Sequence, residues 1–207
     1  MGVNIPQYEH HQILTAKKDL PQLRSCNGTN DVKDRLMIES DRAGGKMRPD
    51  MCVPCGDGLL NIRVGALIVK DGKMLMVQSS HDYLYSIGGR IKIGETAEEA
   101  VVREVFEETG VRMRIKRPIA VHENYFYGDM PTNQGKLIYE ISFYFEMDVP
   151  DDFEPVCDSI TEAGEKEFLR WVAPDTPTTI YPVFFRKEAV EPSDGIVFSL
   201  TDEREQP

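Results

Sequence analysis

Glu104, Glu107 and Glu108 are the residues of this chain best suited to chemistry, because i, i+3 and i+4 spacing stacks three carboxylates on one side of a helix. Like charges at that spacing repel and weaken an isolated helix. The arrangement gains a purpose where hard divalent cations such as Mg²⁺ or Mn²⁺ must be held by oxygen atoms against a phosphate-bearing substrate. A solvated acidic face is the plain alternative. The three carboxylates alone leave both readings open; around them Gly88 and Gly89 lead in, Glu95 and Arg103 are interleaved, and Gly110 and Val111 close the run.

The elements that must position these groups are written in the same stretch. Thr96 followed by Glu99 forms a capping box that starts a helix. Gly110 suits the left-handed residue that ends one. At roughly 100° per residue, the three glutamates share one arc, while Val101, Val102, Val105 and Phe106 occupy the neighbouring arc and should face a core. Arg103 lies beside the acidic arc, within i,i+4 reach of Glu99 and Glu107.

Strand patterns lie on both sides of this helix. Ile62 to Lys70 is β-rich, Asp71-Gly72 is a hairpin signal, and Lys73 to Gln78 returns as the second strand. Tyr83 to Ile87 feeds the two glycines as a short extended run. Arg112 to Tyr127 reads as extended segments broken at Pro118, before a turn-rich loop at 128–135. Lys136 to Asp148 alternates, with Leu137, Tyr139, Ile141, Phe143 and Phe145 on one face and Ile138, Glu140, Ser142, Tyr144 and Glu146 on the other. Lys166 to Val172 is a strand, Thr179 to Ala189 suits a helix, and Ile196 to Leu200 is a last strand. This order specifies an α/β or α+β fold.

The register of Gly89, Glu95, Arg103, Glu104, Val105, Glu107, Glu108, Gly110 and Val111 resembles the signature box of the Nudix hydrolases, which cleave nucleoside diphosphates linked to another moiety. The resemblance covers roughly Asn61 to Val172. It implies an α/β/α sandwich with a mixed central sheet. The bounds come from the sequence pattern: residues 1–45 are polar and end at a Gly44-Gly45 break, giving an N-terminal extension ahead of a domain at 46–207. The resemblance also implies Mg²⁺ or Mn²⁺ as cofactor, near Gly89, with Glu104 and Glu108 as main ligands and Glu107 as a third or water-mediated one. Arg103 and Glu95 resemble the pair that orients the box glutamates. The implied reaction is attack of water on one phosphorus of a diphosphate, in a nucleotide sugar, ADP-ribose, dinucleoside polyphosphate or nucleoside triphosphate.

The box leaves the general base open. Glu140 interrupts a strand on its more polar face and is one candidate; Glu123, Glu162, Glu165 and Glu167 compete with it. Tyr125, Phe126 and Tyr127 either pack in the fold or stack on a nucleobase. A non-catalytic nucleotide sensor on the same kind of domain is the alternative function. Such proteins often erode the box, and here it is complete. An isoprenoid diphosphate isomerase would need a reactive cysteine, and none stands near the box.

At 207 residues with 41% hydrophobic content, the chain has material for one domain and an extension. A net charge of −11 argues against nucleic acid or an anionic membrane as partner. No run approaches the ~18 apolar residues of a membrane span. The start lacks a basic region followed by an apolar stretch, so a cytoplasmic location is expected. A homodimer is plausible from the resemblance alone. Cys52 and Cys55 form a Cys-x-x-Cys without a second pair, and Cys26 and Cys157 stand apart, so an ordinary reduced pair is expected rather than zinc. Arg112, Arg114, Lys116 and Arg117 are either an exposed strand face or a substrate-side patch.

Overall fold

The two-residue turn at Asp71-Gly72 forms as its composition requires. Both residues adopt positive φ (51° and 71°), joining β3 (Val69–Lys70) to β4 (Lys73–Gln78). The computed structural model describes residues 48–80, 82–129, 132–155, 158–160 and 166–205. The expectations for the extension at 1–45, and for Cys157, Glu162 and Glu165, lie outside the described residues.

The strands before the acidic helix are β1 (Cys52–Cys55), β2 (Gly58–Leu67), β5 (Tyr83–Tyr85) and β6 (Ile87–Arg90), and the helix itself is α1 (Ala97–Thr109). After it come β7 (Arg114–Tyr127), β8 (Leu137–Asp148), β9 (Asp158–Ile160), β10 (Lys166–Val172), β11 (Thr179–Tyr181), the short α2 (Phe185–Glu188) and β12 (Val197–Asp202). The mixed sheet structure implied by the resemblance is built as two sheets. One runs β1-β2-β8-β7-β12 with β6 also on β2; the other runs β11-β5-β4-β10-β9 with β3 on β4. Parallel pairs (β2 with β8, β12 with β7, β11 with β5) mix with antiparallel ones in both sheets.

Alternation along β4 shows how the layers close. Leu75 and Val77 join the core that holds Val101 and Val105 of α1, with Val64, Ala66 and Phe145. Met74 and Met76 join a second core with Phe185 of α2, Tyr144 and Ile180. Successive residues of a strand point to opposite faces, so the two helices cover opposite sides, as an α/β/α sandwich demands.

Two expectations need correction. The segment Thr179 to Ala189 is not one helix: Thr179–Tyr181 is β11, and helix resumes only at Phe185. Threonine and isoleucine favour the strand, and Pro182 has no N–H to give a helix. Nor does Pro118 break the chain; β7 runs through it with register shifts on both sides, between Ile115 and Arg117 and between Pro118 and Ala120. A residue without an N–H is tolerated at such irregularities.

The basic run after the helix has a structural employer. Lys116 and Arg117 donate to the two carboxylate oxygens of Glu146 (2.6 and 2.7 Å), and Arg117 also reaches Glu188 of α2 (3.1 Å). Arg114 pairs with Asp148, and the Arg112 guanidinium lies 4.8 Å from the centre of the Phe106 ring. Burial alone would raise the pKa of Glu188, but the hydroxyl and N–H of Ser193 and the charge of Arg117 hold it below its ordinary 4.5. A depressed carboxylate stabilises the fold above its unfolded pKa, and that contribution fades as pH falls through the folded value. Melting temperature should therefore drop as pH falls from about 4.5, and Glu188→Gln should flatten the decline. Parallel pH profiles of the two proteins would refute this.

Among the described residues, no helix is long and apolar enough to cross a membrane.

Candidate active site

The acidic helix is fixed at both ends by the residues that predicted it. Thr96 accepts from the Glu99 N–H through its hydroxyl (3.2 Å), and Glu99 accepts from the Thr96 N–H (2.8 Å). Gly110 closes the helix with φ 72°, its N–H donating to the Phe106 carbonyl. Glu99 is thereby spent on the cap and is not the partner of Arg103 that i,i+4 spacing suggested. The packing stripe is also rotated slightly: Ala100, Val101, Val105 and Thr109 are buried, while Val102 and Phe106 are half-buried.

Arg103 organises the acidic face. Its Nε and Nη2 donate to the two oxygens of Glu95 (2.7 and 3.0 Å), a fork-on-carboxylate match. Nη1 donates to Glu104 (2.7 Å) and Glu107 (3.0 Å), and Nη2 also reaches the Arg90 carbonyl (3.0 Å). Glu95 is anchored in turn by the Lys92 N–H (3.1 Å). One guanidinium thus ties the loop before the helix, the end of β6 and two of the three carboxylates together.

The glycine pair supplies the opposite wall. The Gly88 N–H donates to Glu108 (2.9 Å), and a Cβ on Gly88 would stand 2.1 Å from the Val64 carbonyl oxygen. At Gly89, a Cβ would lie 2.3 Å from Oε1 of Glu104 and 2.5 Å from its carboxyl carbon. The Glu104 carboxylate therefore occupies the space that only glycine leaves open.

This site is short of positive charge. Burial pushes the Glu108 pKa up to about 8, with the charges of Glu104 and Glu167 acting the same way against the Gly88 N–H and Arg63. Burial also raises Glu104, opposed by Arg103. Glu107 is exposed at the rim.

Among the described residues, no three His, Cys, Asp or Glu side chains are already gathered as a cage for a metal ion. Glu104 and Glu107 bond Arg103, and Glu108 bonds the Gly88 N–H. The donors nonetheless fit a hard divalent cation in kind: carboxylate oxygens beside a backbone with no Cβ, crowded enough to resist ionisation without a counter-charge.

Of the proposed bases, Glu140 has both oxygens engaged. Asn61 Nδ2 donates to Oε2 (3.0 Å) and the Ser142 hydroxyl to Oε1 (3.2 Å), while Arg63 Nε lies 3.9 Å from Oε2. Glu167 accepts from the Tyr85 hydroxyl and is close enough to Glu108 to raise its pKa. Glu123 pairs in register with Ile141, on the face of β7 opposite to Asn124 and Glu140.

Arg63, Asn61 and Tyr85 escaped the sequence reading. Arg63 had a signal, a lone cation inside an apolar strand. Burial disfavours its charge, but Glu140, Glu104 and Glu108 more than compensate and hold its pKa up. By register, Asn61 and Arg63 begin a polar row that continues through Glu140 and Ser142 on β8, His122 and Asn124 on β7, and Ser199 and Thr201 on β12. The expected aromatic cluster is split by alternation. Tyr125 stacks on Tyr139 (4.4 Å between centroids) under the Arg204 guanidinium, whereas Phe126 shares the face of the polar row.

A family model described as a NUDIX domain matches residues 59–191. The ADP-ribose pyrophosphatase of Methanocaldococcus jannaschii is 36% identical over 67 residues, covering 30% of this chain and 40% of that protein. The NAD-capped RNA hydrolase NudC of Haemophilus influenzae is 29% identical over 86 residues, covering 42% and 31%. These matches thus span well under half the length of either relative. Among solved structures, the MutT protein from Bacillus halodurans superposes with a TM-score of 0.51 at 19% identity, over 69% of this chain and 91% of that one. That likeness is one of fold.

Proposed function

The chain belongs to the Nudix family, and on that premise we propose that it hydrolyses the diphosphate linkage of a nucleoside diphosphate derivative, with water attacking phosphorus. The observation that carries this reading is the Arg103 fork, which holds Glu95, Glu104 and Glu107 together at the wall where Gly89 leaves room for the Glu104 carboxylate. An ordinary surface helix has no use for so constrained a set of like charges.

Members of the family generally use divalent metal ions; for this chain we propose Mg²⁺ or Mn²⁺, with Glu104, Glu107, Glu108 and the backbone at Gly89 around it. Such ions neutralise diphosphate charge and lower the pKa of a water nucleophile. The protein's own residues supply positioning, which dominates phosphoryl transfer. Arg103 and Glu95 orient the carboxylates, and the Gly88 N–H fixes Glu108. We assign the general base to Glu167 ahead of Glu140. Tyr85 orients Glu167 by donating to it, while Glu140 is committed to Asn61 and Ser142 and serves to place Arg63.

We place the activity in residues 46–207, with 1–45 as an extension. The substrate would be a small molecule rather than a nucleic acid or membrane, met in the cytoplasm, and a homodimer would leave this reading unchanged. The test is product analysis with Mg²⁺ or Mn²⁺ and a panel of ADP-ribose, nucleotide sugars, diadenosine polyphosphates, NADH and nucleoside triphosphates. Metal-dependent release of a phosphate monoester from at least one member is expected. Tight binding across the panel without cleavage would overturn the hydrolase in favour of a sensor.

A further inference from the structure

One buried atom in the polar row has its hydrogen-bonding capacity unmet. The amide oxygen of Asn124 is buried without a hydrogen-bond partner, alone in this among the side-chain polar atoms of the described residues. Its neighbours are provided for. Glu140, its register partner on β8, accepts from Asn61 and Ser142, and His122 Nδ1 lies 2.7 Å from the Ser199 hydroxyl. Buried acceptors are almost always paired, because leaving one unpaired destabilises the fold. The exception sits on the same sheet face as Arg63, the residue whose charge is coupled to Glu104 and Glu108.

The surroundings narrow what could supply the missing donor. Strand alternation sets Asn124 between His122 and Phe126 on one face of β7. The His122 ring lies 5.9 Å from Phe184 and 6.5 Å from Tyr144, and burial lowers its pKa, so the His122 side is aromatic and uncharged near pH 7, while the Glu140 carboxylate belongs to the strand beside it. A flat group with an N–H on its edge suits such a place, since aromatic faces stack on any base. A side-chain amide offers an acceptor beside a donor, the pattern that matches the amino group and N7 of adenine.

We propose that Asn124 selects the base of the nucleotide substrate, its amide oxygen accepting from the exocyclic amino group of adenine. This rests on the nucleotide-hydrolase reading above, but it can fail separately. The test uses the full chain and the Asn124→Leu and Asn124→Asp variants, with AMP and ribose 5-phosphate as probes for equilibrium binding. KM and kcat for ADP-ribose are measured alongside.

Asn124→Leu should weaken AMP binding about tenfold or more, the cost of stranding a donor in a buried site. It should leave ribose 5-phosphate binding unchanged, and should raise KM for ADP-ribose with kcat within about twofold. Because the orphaned acceptor disappears, the melting temperature of the ligand-free variant should rise by a few degrees. Asn124→Asp retains an acceptor and the side-chain shape, and should keep more of the AMP affinity than Asn124→Leu.

Unchanged AMP affinity in Asn124→Leu would overturn the assignment, as would equal losses for AMP and ribose 5-phosphate. A lowered melting temperature with AMP binding intact would show a structural residue. If AMP binding depends on Asn124 but wild type cleaves nothing on the panel, the base-reading role stands and the hydrolase falls. If ADP-ribose is cleaved with the same KM in both proteins, the hydrolase stands and this role falls.

Discussion

Glu108→Gln should lower kcat by at least about a thousandfold on whichever substrate the wild type cleaves, the scale of removing a group that manages transition-state charge. The side chains have nearly the same shape, and the amide oxygen can still accept from the Gly88 N–H that holds Glu108 at 2.9 Å. What disappears is a negative charge that burial already pushes towards protonation, with a pKa near 8. A group so poorly served by its surroundings gains from a cation and gives the fold little by itself. The variant should therefore melt no lower than wild type at pH 7 to 8 without added metal. Glu104→Gln should behave alike in turnover. Activity within about tenfold of wild type in both variants, with folding intact, would remove these residues from the reaction.

Gly89→Ala should cost about a hundredfold in kcat, the penalty of a displacement near 1 Å in a positioned site. The added Cβ would meet all three carboxylate atoms of Glu104 at 2.3 to 2.6 Å, closer than van der Waals contact permits. Glu104 cannot yield freely, because it bonds Arg103, whose other nitrogens are clasped by Glu95 and the Arg90 carbonyl. The clash is with a side chain, so the sheet should survive. Gly88→Ala gives the contrast: its Cβ would strike backbone at 2.1 Å, and φ of 150° already excludes most side chains. That change should show first as lost stability. Kinetics and thermal unfolding of the two variants separate the cases, and full activity in Gly89→Ala would show that Glu104 need not sit where it does.

Local instructions were legible in the sequence because they act within a few residues. The Thr96–Glu99 box, the Gly110 terminator and the Asp71-Gly72 turn each combine residue type with short spacing, and each forms as expected. The acidic stripe of α1 was legible for the same reason. What failed depended on distant partners. Spacing put Glu99 within i,i+4 reach of Arg103, but the cap at Thr96 took its carboxylate, and Arg103 forks onto Glu95 from the preceding loop. Thr179 to Tyr181 became a strand because β5 offers its edge, which no local pattern reports. The links among Asn61, Arg63 and Glu140, and between Tyr85 and Glu167, rest on strand register across tens of residues. The polar row through His122 and Asn124 emerges only once four strands are laid side by side.

The most direct test of the account is a Mn²⁺ titration followed by the electron paramagnetic resonance of the free ion, with wild type and the Glu104→Gln, Glu108→Gln double variant compared. The account predicts that wild type removes Mn²⁺ from solution stoichiometrically, more tightly as pH rises towards the Glu108 pKa of about 8. The double variant should leave the free-ion signal almost untouched. Equal Mn²⁺ binding by both proteins would place the cation elsewhere and contradict the role given to the acidic face of α1.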